Sequence, residues 1–261
     1  MKKEVIMADI EIFDGERLDK VNENISLICK TDGLTFGTDA YLLASFIRPQ
    51  SSARAVELGA GTGIISLLLA ARGRLSHITA IEVQRDFAEL MDRNVRLNSL
   101  DGKITVKEGD VRDIRACDIG GEADVVFSNP PYMRTDSGKR NLSDRKYIAR
   151  HEVCGGIGDF CSAAGRLLRH GGRFYCVWRP DRLSELFSAM KANRLEPKSA
   201  VFVHADEDSE PSMVLVLASK GGAEGMRIMP PLLLHSREHT GGARALSSRA
   251  ERIYETMSFY E

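Results

Sequence analysis

The residues with the clearest chemical potential follow a short apolar run at residues 125–127 and read Asn-Pro-Pro-Tyr over residues 129–132. The run predicts a buried strand, and the two prolines, which supply no N–H and fix φ, end it. Asn129 has a side-chain carbonyl and amide, Pro130 has a backbone carbonyl, and Tyr132 has a flat ring. These groups can accept hydrogen bonds from a planar amine and stack on it, so the peptide predicts a site for an exocyclic amine.

A glycine-rich turn joins a predicted strand to a strongly apolar predicted helix and contains Gly59, Gly61 and Gly63. Glycines let the backbone approach a ligand closely, and a helix N-terminus presents free N–H groups to it. Glu82 ends the next predicted strand about twenty residues later, where an acid can hold both hydroxyls of a ribose. The spacing predicts an adenosine-bearing cofactor. The pattern fits a dinucleotide cofactor such as NAD poorly, because Ile64 stands where the third glycine of the dinucleotide-binding fingerprint belongs.

These motifs lie in a chain whose predicted strands and helices alternate from Arg54 to Ala218, which is typical of an α/β protein. We expect a Rossmann-like sheet of seven strands, mostly parallel with an antiparallel last strand, and helices on both faces. Residues 1–50 should form a small hairpin and helix packed on the core, and residues 51–261 the main domain. The predicted strands are 25–30, 34–37, 55–58, 77–83, 104–106, 125–127, 173–178, 200–204 and 213–218, and the predicted helices are 38–47, 64–71, 84–100, 158–170, 181–194 and 243–254.

The order of strands in such a sheet positions the two motifs. Strands one and four of the core stand side by side where the strand order reverses, so the glycine turn and Asn129 should open onto one crevice. The helix that precedes the core begins near Thr38 and Asp39. A helix in this position often covers the cofactor, so both residues are candidate cofactor contacts, although either can equally be a plain N-cap.

Composition limits the class of protein. A chain of 261 residues with 43% hydrophobic residues can bury a full core, and its formal net charge of −1 supplies no general attraction for nucleic acid. We see no signal peptide and no membrane span, and we expect a cytoplasmic monomer. The five cysteines are scattered without metal-ligand spacing, so they predict neither a metal site nor a disulfide framework.

A local basic segment at residues 133–151 follows the Asn-Pro-Pro-Tyr peptide directly. It has six cations against two aspartates, a local charge of +4. Such an excess beside the proposed pocket predicts a groove for a polyanion, with a solvated loop as the alternative. The six cations are Arg134, Lys139, Arg140, Arg145, Lys146 and Arg150.

The Asn-Pro-Pro-Tyr peptide resembles the catalytic motif of S-adenosylmethionine-dependent methyltransferases that modify amino groups. Glu57, two residues before the first glycine, completes a Glu-x-Gly-x-Gly-x-Gly pattern similar to the cofactor loop of Rossmann-like methyltransferases. The resemblance implies that Asn129, Pro130 and Tyr132 are catalytic, with Asn129 also beside the cofactor. It implies that Glu57 orients the cofactor amino group or nearby loop amides. It further implies that Asp110 accepts a hydrogen bond from the cofactor adenine, with the Val111 N–H bonded to the same ring.

Further segments resemble a narrower family, the bacterial tRNA adenine-N6 methyltransferases that act on valine tRNA beside the anticodon. They are Phe-Gly-Thr-Asp-Ala at 36–40, Ala-Arg-His-Glu at 149–152 and Met-Pro-Pro-Leu at 229–232, and the similarity spans about residues 25 to 235. Residues 235–247 lack the acidic, Tyr-containing turn of that family. The resemblance implies S-adenosylmethionine as cofactor and tRNA or another structured RNA as partner. It also implies methyl transfer to the exocyclic N6 of adenine in RNA, such as an adenine of a tRNA anticodon loop. The alternatives are methylation of a protein glutamine or of DNA adenine, an NAD-dependent oxidoreductase, and a non-catalytic RNA-binding module.

Overall fold

The computed structural model describes residues 11–31, 37–131, 155–240 and 243–260. Its helices are α1 (Thr38–Phe46), α2 (Ile64–Ala71), α3 (Arg85–Leu97), α4 (Ile157–Leu167), α5 (Leu183–Ala192) and α6 (Ser248–Thr256). Its strands are β1 (Glu16–Lys20), β2 (Ser26–Lys30), β3 (Gln50–Leu58), β4 (Leu75–Glu82), β5 (Ile104–Glu108), β6 (Ala123–Ser128), β7 (Leu168–Trp178), β8 (Leu195–His204), β9 (Pro211–Lys220), β10 (Arg227–Ile228), β11 (Leu232–Leu233), β12 (His235–Thr240) and β13 (Ala243–Leu246).

The central sheet has the order β10-β8-β9-β7-β6-β3-β4-β5, with β11 also paired to β8. β3 pairs in parallel with β4 on one side and with β6 on the other. β9 is antiparallel to both β7 and β8. The predicted α/β fold is therefore confirmed, including the antiparallel last strand of the core and the adjacency of its first and fourth strands.

Two hydrophobic layers cover the sheet because its inner strands are apolar on both faces. In β6, Val125, Val126 and Phe127 are all fully buried. Val125 and Phe127 face the layer that contains α1, α2 and α3, whereas Val126 faces the layer that contains α4 and α5. This packing fixes the carboxyl end of β6, and hence the position of Asn129. No helix in the described ranges is long and apolar enough to cross a membrane.

The N-terminal hairpin has a different first strand from the predicted one. β2 pairs with β1 in antiparallel register, and β1 lies in a charged stretch that the apolar pattern does not reveal. Glu16 anchors it to α3, since its buried carboxylate lies 2.8 Å from Arg93 Nη2 and 3.0 Å from Lys30 Nζ. Burial alone would raise the pKa of Glu16, but these hydrogen bonds outweigh burial and lower it to about 2. The predicted strand at 34–37 lies outside the described residues except for Gly37.

Two local predictions at helix boundaries were wrong. Gly37, and not Thr38 or Asp39, is the N-cap of α1. At the other end of the chain, the helix predicted for 243–254 begins only at Ser248, because the preceding residues form β13 and pair with β12. Ser247 is the N-cap of that helix and accepts a hydrogen bond from the Ala250 N–H.

Candidate functional site

The two sequence motifs meet at the carboxyl edge of the sheet. Leu58 of β3 stands opposite Ser128 of β6, and the Ser128 hydroxyl donates to the Leu58 carbonyl at 2.7 Å. Neighbouring strands are about 4.8 Å apart. Gly59 and Asn129, each the next residue along its strand, therefore stand side by side. The strand order reverses here, with β4 on one side and β7 on the other, which is where open α/β sheets bind ligands.

Asn129 is held by a residue of α1. Its side-chain Nδ2 donates to Asp39 Oδ2 at 2.8 Å, and both side chains are half-buried. A carboxylate accepts hydrogen bonds and cannot donate them, so the Asn129 amide must present its NH₂ end to Asp39. The Oδ1 end is thereby oriented as an acceptor. Asp39 was predicted as a cofactor contact, and the structure brings it to the Asn-Pro-Pro-Tyr peptide.

The packing of α1 explains why Asp39 can fix this geometry. Leu42, Leu43 and Phe46 are fully buried on the helix face that meets the sheet. Tyr41 adds a hydrogen bond of 2.6 Å from its hydroxyl to the Tyr254 carbonyl near the end of the chain. The helix that bears Asp39 is consequently anchored at several points.

The glycine turn is tied to Glu82 at the end of β4. Glu82 Oε2 accepts from the Gly61 N–H at 2.8 Å, and Oε1 accepts from the Gln84 N–H at 2.9 Å. Gly61 has a positive φ of 56°, and a side chain placed there would point into open space. A ligand can therefore approach the backbone closely beside this buried acid. Each carboxylate oxygen has a second lone pair with which to accept a ribose hydroxyl.

Gly63 ends the turn and begins α2. Its φ of 86° lies in the left-handed region, and a Cβ there would lie 2.7 Å from Met91 Cγ. Any larger residue would therefore be strained by its backbone and would also collide with α3. The Gly63 carbonyl accepts the first helical hydrogen bond, from the Leu67 N–H at 2.9 Å. Glycine is therefore needed at position 63 for packing against α3, and not only for the close approach of a ligand to the backbone.

Glu57 lies behind the turn and is almost completely buried. Its Oε2 accepts a hydrogen bond of 3.2 Å from the Ser66 N–H and a second, short one from the Ser66 hydroxyl. Burial raises the pKa of Glu57 to about 8, and the bonds from Ser66 oppose the rise only in part. The hydrogen bonds from Ser66 link β3 to the first turn of α2. Because its pKa is raised to about 8, the Glu57 carboxyl is protonated in the folded chain at neutral pH.

Asp110 and Val111 follow β5 at the same edge. Asp110 forms an ion pair with Arg112, which lowers the pKa of the aspartate. Arg112 Nε lies 2.9 Å from Asp110 Oδ1 and 3.0 Å from Oδ2, so one guanidinium engages both oxygens. Val111 is buried, and its carbonyl accepts from Arg166 Nη2 at 2.8 Å. An adenine amine would have to share the Asp110 carboxylate with Arg112.

A cavity of about 650 Å³ adjoins Asp39 and was not predicted. It lies between the start of α1, the carboxyl end of β7 and the turn that joins β8 to β9. The rule that ligands bind at the carboxyl ends of strands would have pointed to this segment after β7. The lining residues are Thr38, Asp39, Trp178, Arg179, Pro180, Asp181, Glu210, Pro211, Ser212 and Met213.

Several predicted site residues lie outside the described residues. They are Tyr132 and the six cations Arg134, Lys139, Arg140, Arg145, Lys146 and Arg150. The described part of the site ends with Pro130, which is buried, and Pro131. The roles of these cations and of the tyrosine therefore stay predictions.

The fold and this edge of the sheet define the class of the protein, an S-adenosylmethionine-dependent methyltransferase with a Rossmann-like sheet. Residues 30–196 match the family model of the methyltransferase small domain, and the chain belongs to that family. It is 32% identical, over 69% of its length and 74% of the relative, to a tRNA1(Val) (adenine(37)-N6)-methyltransferase of Phocaeicola vulgatus. A protein of the same name from Tolumonas auensis is 27% identical over 72% of this chain and 77% of the relative.

A solved structure shows the same fold. A predicted O-methyltransferase of Agrobacterium tumefaciens superposes with a TM-score of 0.66 and 23% identity. The match covers 85% of this chain and 98% of that protein. The fold of most of this chain is therefore shared with that protein.

Proposed function

We propose that the chain transfers a methyl group from S-adenosylmethionine to the exocyclic N6 of an adenine in RNA, in the anticodon loop of a tRNA. The observation that carries the proposal is the Asn129 amide, oriented by Asp39 beside the glycine turn at the carboxyl edge of the sheet. The two relatives named above, whose names specify adenine N6 in tRNA, support the choice of substrate. The reaction would take place in the cytoplasm, where tRNA is found. The enzyme would act as a monomer and would need no metal.

An exocyclic amine is a weak nucleophile because its lone pair is delocalised into the ring. Asn129 Oδ1 and the Pro130 carbonyl would each accept one N–H of the amine, which favours a tetrahedral nitrogen with its lone pair directed outward. S-adenosylmethionine supplies an electrophilic methyl group on a sulfonium. The nitrogen would take the methyl as the sulfonium becomes a neutral thioether, and the surplus proton would pass to solvent. Positioning supplies most of the rate.

The cofactor would lie across the turn, and the described residues suit its parts. Glu82 would accept from the ribose hydroxyls above Gly61, and Glu57 would stiffen the turn from behind through Ser66. Asp110 and Val111 would face the adenine, and Thr38 would border the site from α1. We assign residues 51–261 to the methyltransferase domain, with residues 1–50 as the hairpin and helix that complete it.

The target base must leave its stack to reach Asn129, and the cavity beside Asp39 offers it room. Enzymes that act on bases take them into a pocket of this kind. Pockets for small molecules have volumes of about 300–1,000 Å³, and this cavity lies within that range. The carboxylate of Glu210 can accept base N–H groups, and so can that of Asp181, which is also paired with Arg179. Tyr132, which lies outside the described residues, would stack on the adenine.

Methyl transfer from labelled S-adenosylmethionine to total tRNA, duplex DNA and a release factor tests the proposal. We expect label in tRNA, recovered as N6-methyladenosine after digestion. Label in the release factor alone would instead favour glutamine methylation, and label in duplex DNA alone would favour DNA adenine. Tight RNA binding without transfer would favour a non-catalytic module. Calorimetry with S-adenosylhomocysteine and NAD checks the cofactor, and binding of NAD alone would contradict it.

A further inference from the structure

A second cavity, of about 530 Å³, opens on the far edge of the sheet from Asn129 and is strongly basic. Arg48, Arg173, Lys198 and Arg227 line it, and Tyr260 closes one side. Arg173 stands opposite Val125 in the register of β7 and β6. Asn129 follows four residues later, about 13 Å further along the strand at ~3.3 Å per residue. The cavity is therefore separate from the methyl-transfer site.

Backbone pairing aligns the wall of this cavity across four strands. Tyr175 of β7 pairs with Leu217 of β9. Leu217 in turn pairs with Ser199 of β8, and Ser199 pairs with Arg227 of β10. Residues in register project to the same face of a sheet. The hydroxyl of Ser199 and the guanidinium of Arg227 are thus brought to one surface by the core of the fold, and not by a loop alone.

A neighbouring row adds a second cation and a second hydroxyl. Arg173, two residues before Tyr175 in β7, stands opposite Ser219, two residues after Leu217 in β9, and both line the cavity. Arg48 joins from the end of α1, where its Cζ lies 4.4 Å from the centre of the Tyr260 ring. The Tyr260 hydroxyl is itself tied to the Phe46 carbonyl at 3.1 Å, so this wall is also fixed.

No carboxylate in the described part of the chain pairs with any of these four cations. Elsewhere, exposed arginines such as Arg85 and Arg96 have a glutamate or aspartate within 3 Å. Lys198 donates only to the Ala223 carbonyl, at 2.9 Å. Four positive groups around one cavity repel each other, and an anion between them would relieve that repulsion.

Tyr175 lies in the same row of the sheet as Ser199 and Arg227, and its side chain is fully buried. Burial raises the pKa of Tyr175, while the charges of Arg173 and Arg48 and hydrogen bonds with both residues oppose the rise. Two of the cations that line the cavity therefore lie beside this buried hydroxyl.

We propose that this cavity binds a phosphate group. Guanidinium groups match phosphate oxygens in pairs, and the serine hydroxyls offer further donors. The cavity exceeds the volume of one phosphate, so the group would belong to a larger molecule. The phosphate has two sources, a phosphodiester of an RNA backbone or a free phosphorylated compound, and two measurements separate them.

The first measurement is calorimetry of the full chain with pyrophosphate. Wild type should bind with 1:1 stoichiometry, and R48Q/R227Q should weaken binding at least tenfold. Both substituted residues are exposed, so the fold should survive, which unchanged binding of S-adenosylhomocysteine will verify. The matched control is K20Q/R96Q, which removes the same charge from exposed positions at the opposite edge of the sheet and should bind pyrophosphate like wild type.

The second measurement is tRNA affinity against ionic strength for the same proteins. If the phosphate belongs to RNA, R48Q/R227Q should lower the log–log salt slope by about 1.4, since each contact contributes about 0.7. The control should keep the wild-type slope. If only pyrophosphate binding changes, the ligand is a free phosphorylated compound.

If R48Q/R227Q changes neither the affinity for pyrophosphate nor the salt slope of tRNA binding, the proposal is overturned. R227Q alone, on a two-residue edge strand, serves as the second variant if the double variant loses S-adenosylhomocysteine binding. Because neither measurement depends on methyl transfer, a negative result here leaves the proposed function standing, and loss of transfer to tRNA leaves this phosphate site standing.

Discussion

Asp39 accepts a hydrogen bond of 2.8 Å from the Asn129 amide, and this contact joins the first turn of α1 to the end of β6 across ninety residues of chain. It gives the Asn-Pro-Pro-Tyr peptide a partner that fixes which end of its amide faces outward. A rotated amide would present two donors to a substrate amine that is itself a donor. Asp39 is therefore a positioning residue in the proposed reaction.

Asp39→Ala should lower the single-turnover rate of methyl transfer about 10- to 100-fold. A hydrogen bond to a charged group is worth about 1.5–3 kcal/mol, and ~1.4 kcal/mol corresponds to a factor of ten. Affinities for S-adenosylhomocysteine and tRNA should stay within about twofold of wild type. Asp39→Asn, which retains an acceptor oxygen, should recover part of the rate. Equal loss in both variants would contradict the positioning role.

Glu82→Gln should weaken S-adenosylhomocysteine binding about 10- to 100-fold, because the carboxylate both holds Gly61 and would accept from the ribose. Calorimetry measures the affinity, and circular dichroism checks the fold. Glu89→Gln is the matched control, an exposed acid paired with Arg85 on α3. Unchanged affinity in the Glu82 variant would remove this residue from the cofactor site.

Glu57 should make the fold less stable as the pH rises from about 4.5 to about 8. Burial raises the pKa of this carboxyl from its usual value of 4.5 to about 8, so folding takes up a proton between these pH values. The stability linked to the protonated form is present below pH 4.5 and is lost as the pH approaches 8.

Glu57→Gln stays neutral throughout and tests this window. Its melting temperature should fall less than that of wild type between about pH 5 and pH 8. The difference should be on the order of 10 °C, since one proton over about three pH units corresponds to about 4 kcal/mol and ~1 kcal/mol moves Tm by about 2–4 °C in a chain of this size. The Glu89→Gln variant should follow wild type. Parallel curves for wild type and Glu57→Gln would show that the carboxyl does not titrate in this range.

The sequence predicts the parts of the fold that depend on local pattern. The apolar run before Asn129 becomes β6, and the glycines after β3 lie at the start of α2 as expected. The adjacency of these two motifs follows from a general rule of strand order in α/β sheets, so it could also be predicted.

Long-range contacts could not be predicted in this way. β1 is charged and is held by pairing with β2 and by the Glu16–Arg93 ion pair, neither of which leaves a periodic signal. The role of Asp39 depends on a partner far away in the chain, so its position at the start of the helix before the core suggested only a cofactor contact or a plain N-cap. The basic cavity is likewise assembled from residues whose common surface appears only once the strand register is known.

Lys139→Glu/Arg140→Glu tests the basic segment that follows the Asn-Pro-Pro-Tyr peptide, which lies beyond the described residues. The reversal should raise the KM for tRNA and leave S-adenosylmethionine affinity unchanged. Loss of two phosphate contacts should lower the salt slope by about 1.4. Lys20→Glu/Arg96→Glu is the control for net charge. Identical salt slopes in wild type and both variants would identify the segment as a solvated loop.

The most direct test of the account compares wild type with Asn129→Ala by nucleoside mass spectrometry of tRNA after incubation with S-adenosylmethionine. Wild type should produce N6-methyladenosine at a single anticodon-loop position, while Asn129→Ala should produce less than about one hundredth as much and still bind S-adenosylhomocysteine normally. Persistent N6-methyladenosine in the Asn129→Ala reaction, or a different methylated nucleoside from wild type, would contradict methyl transfer to adenine N6 at this site.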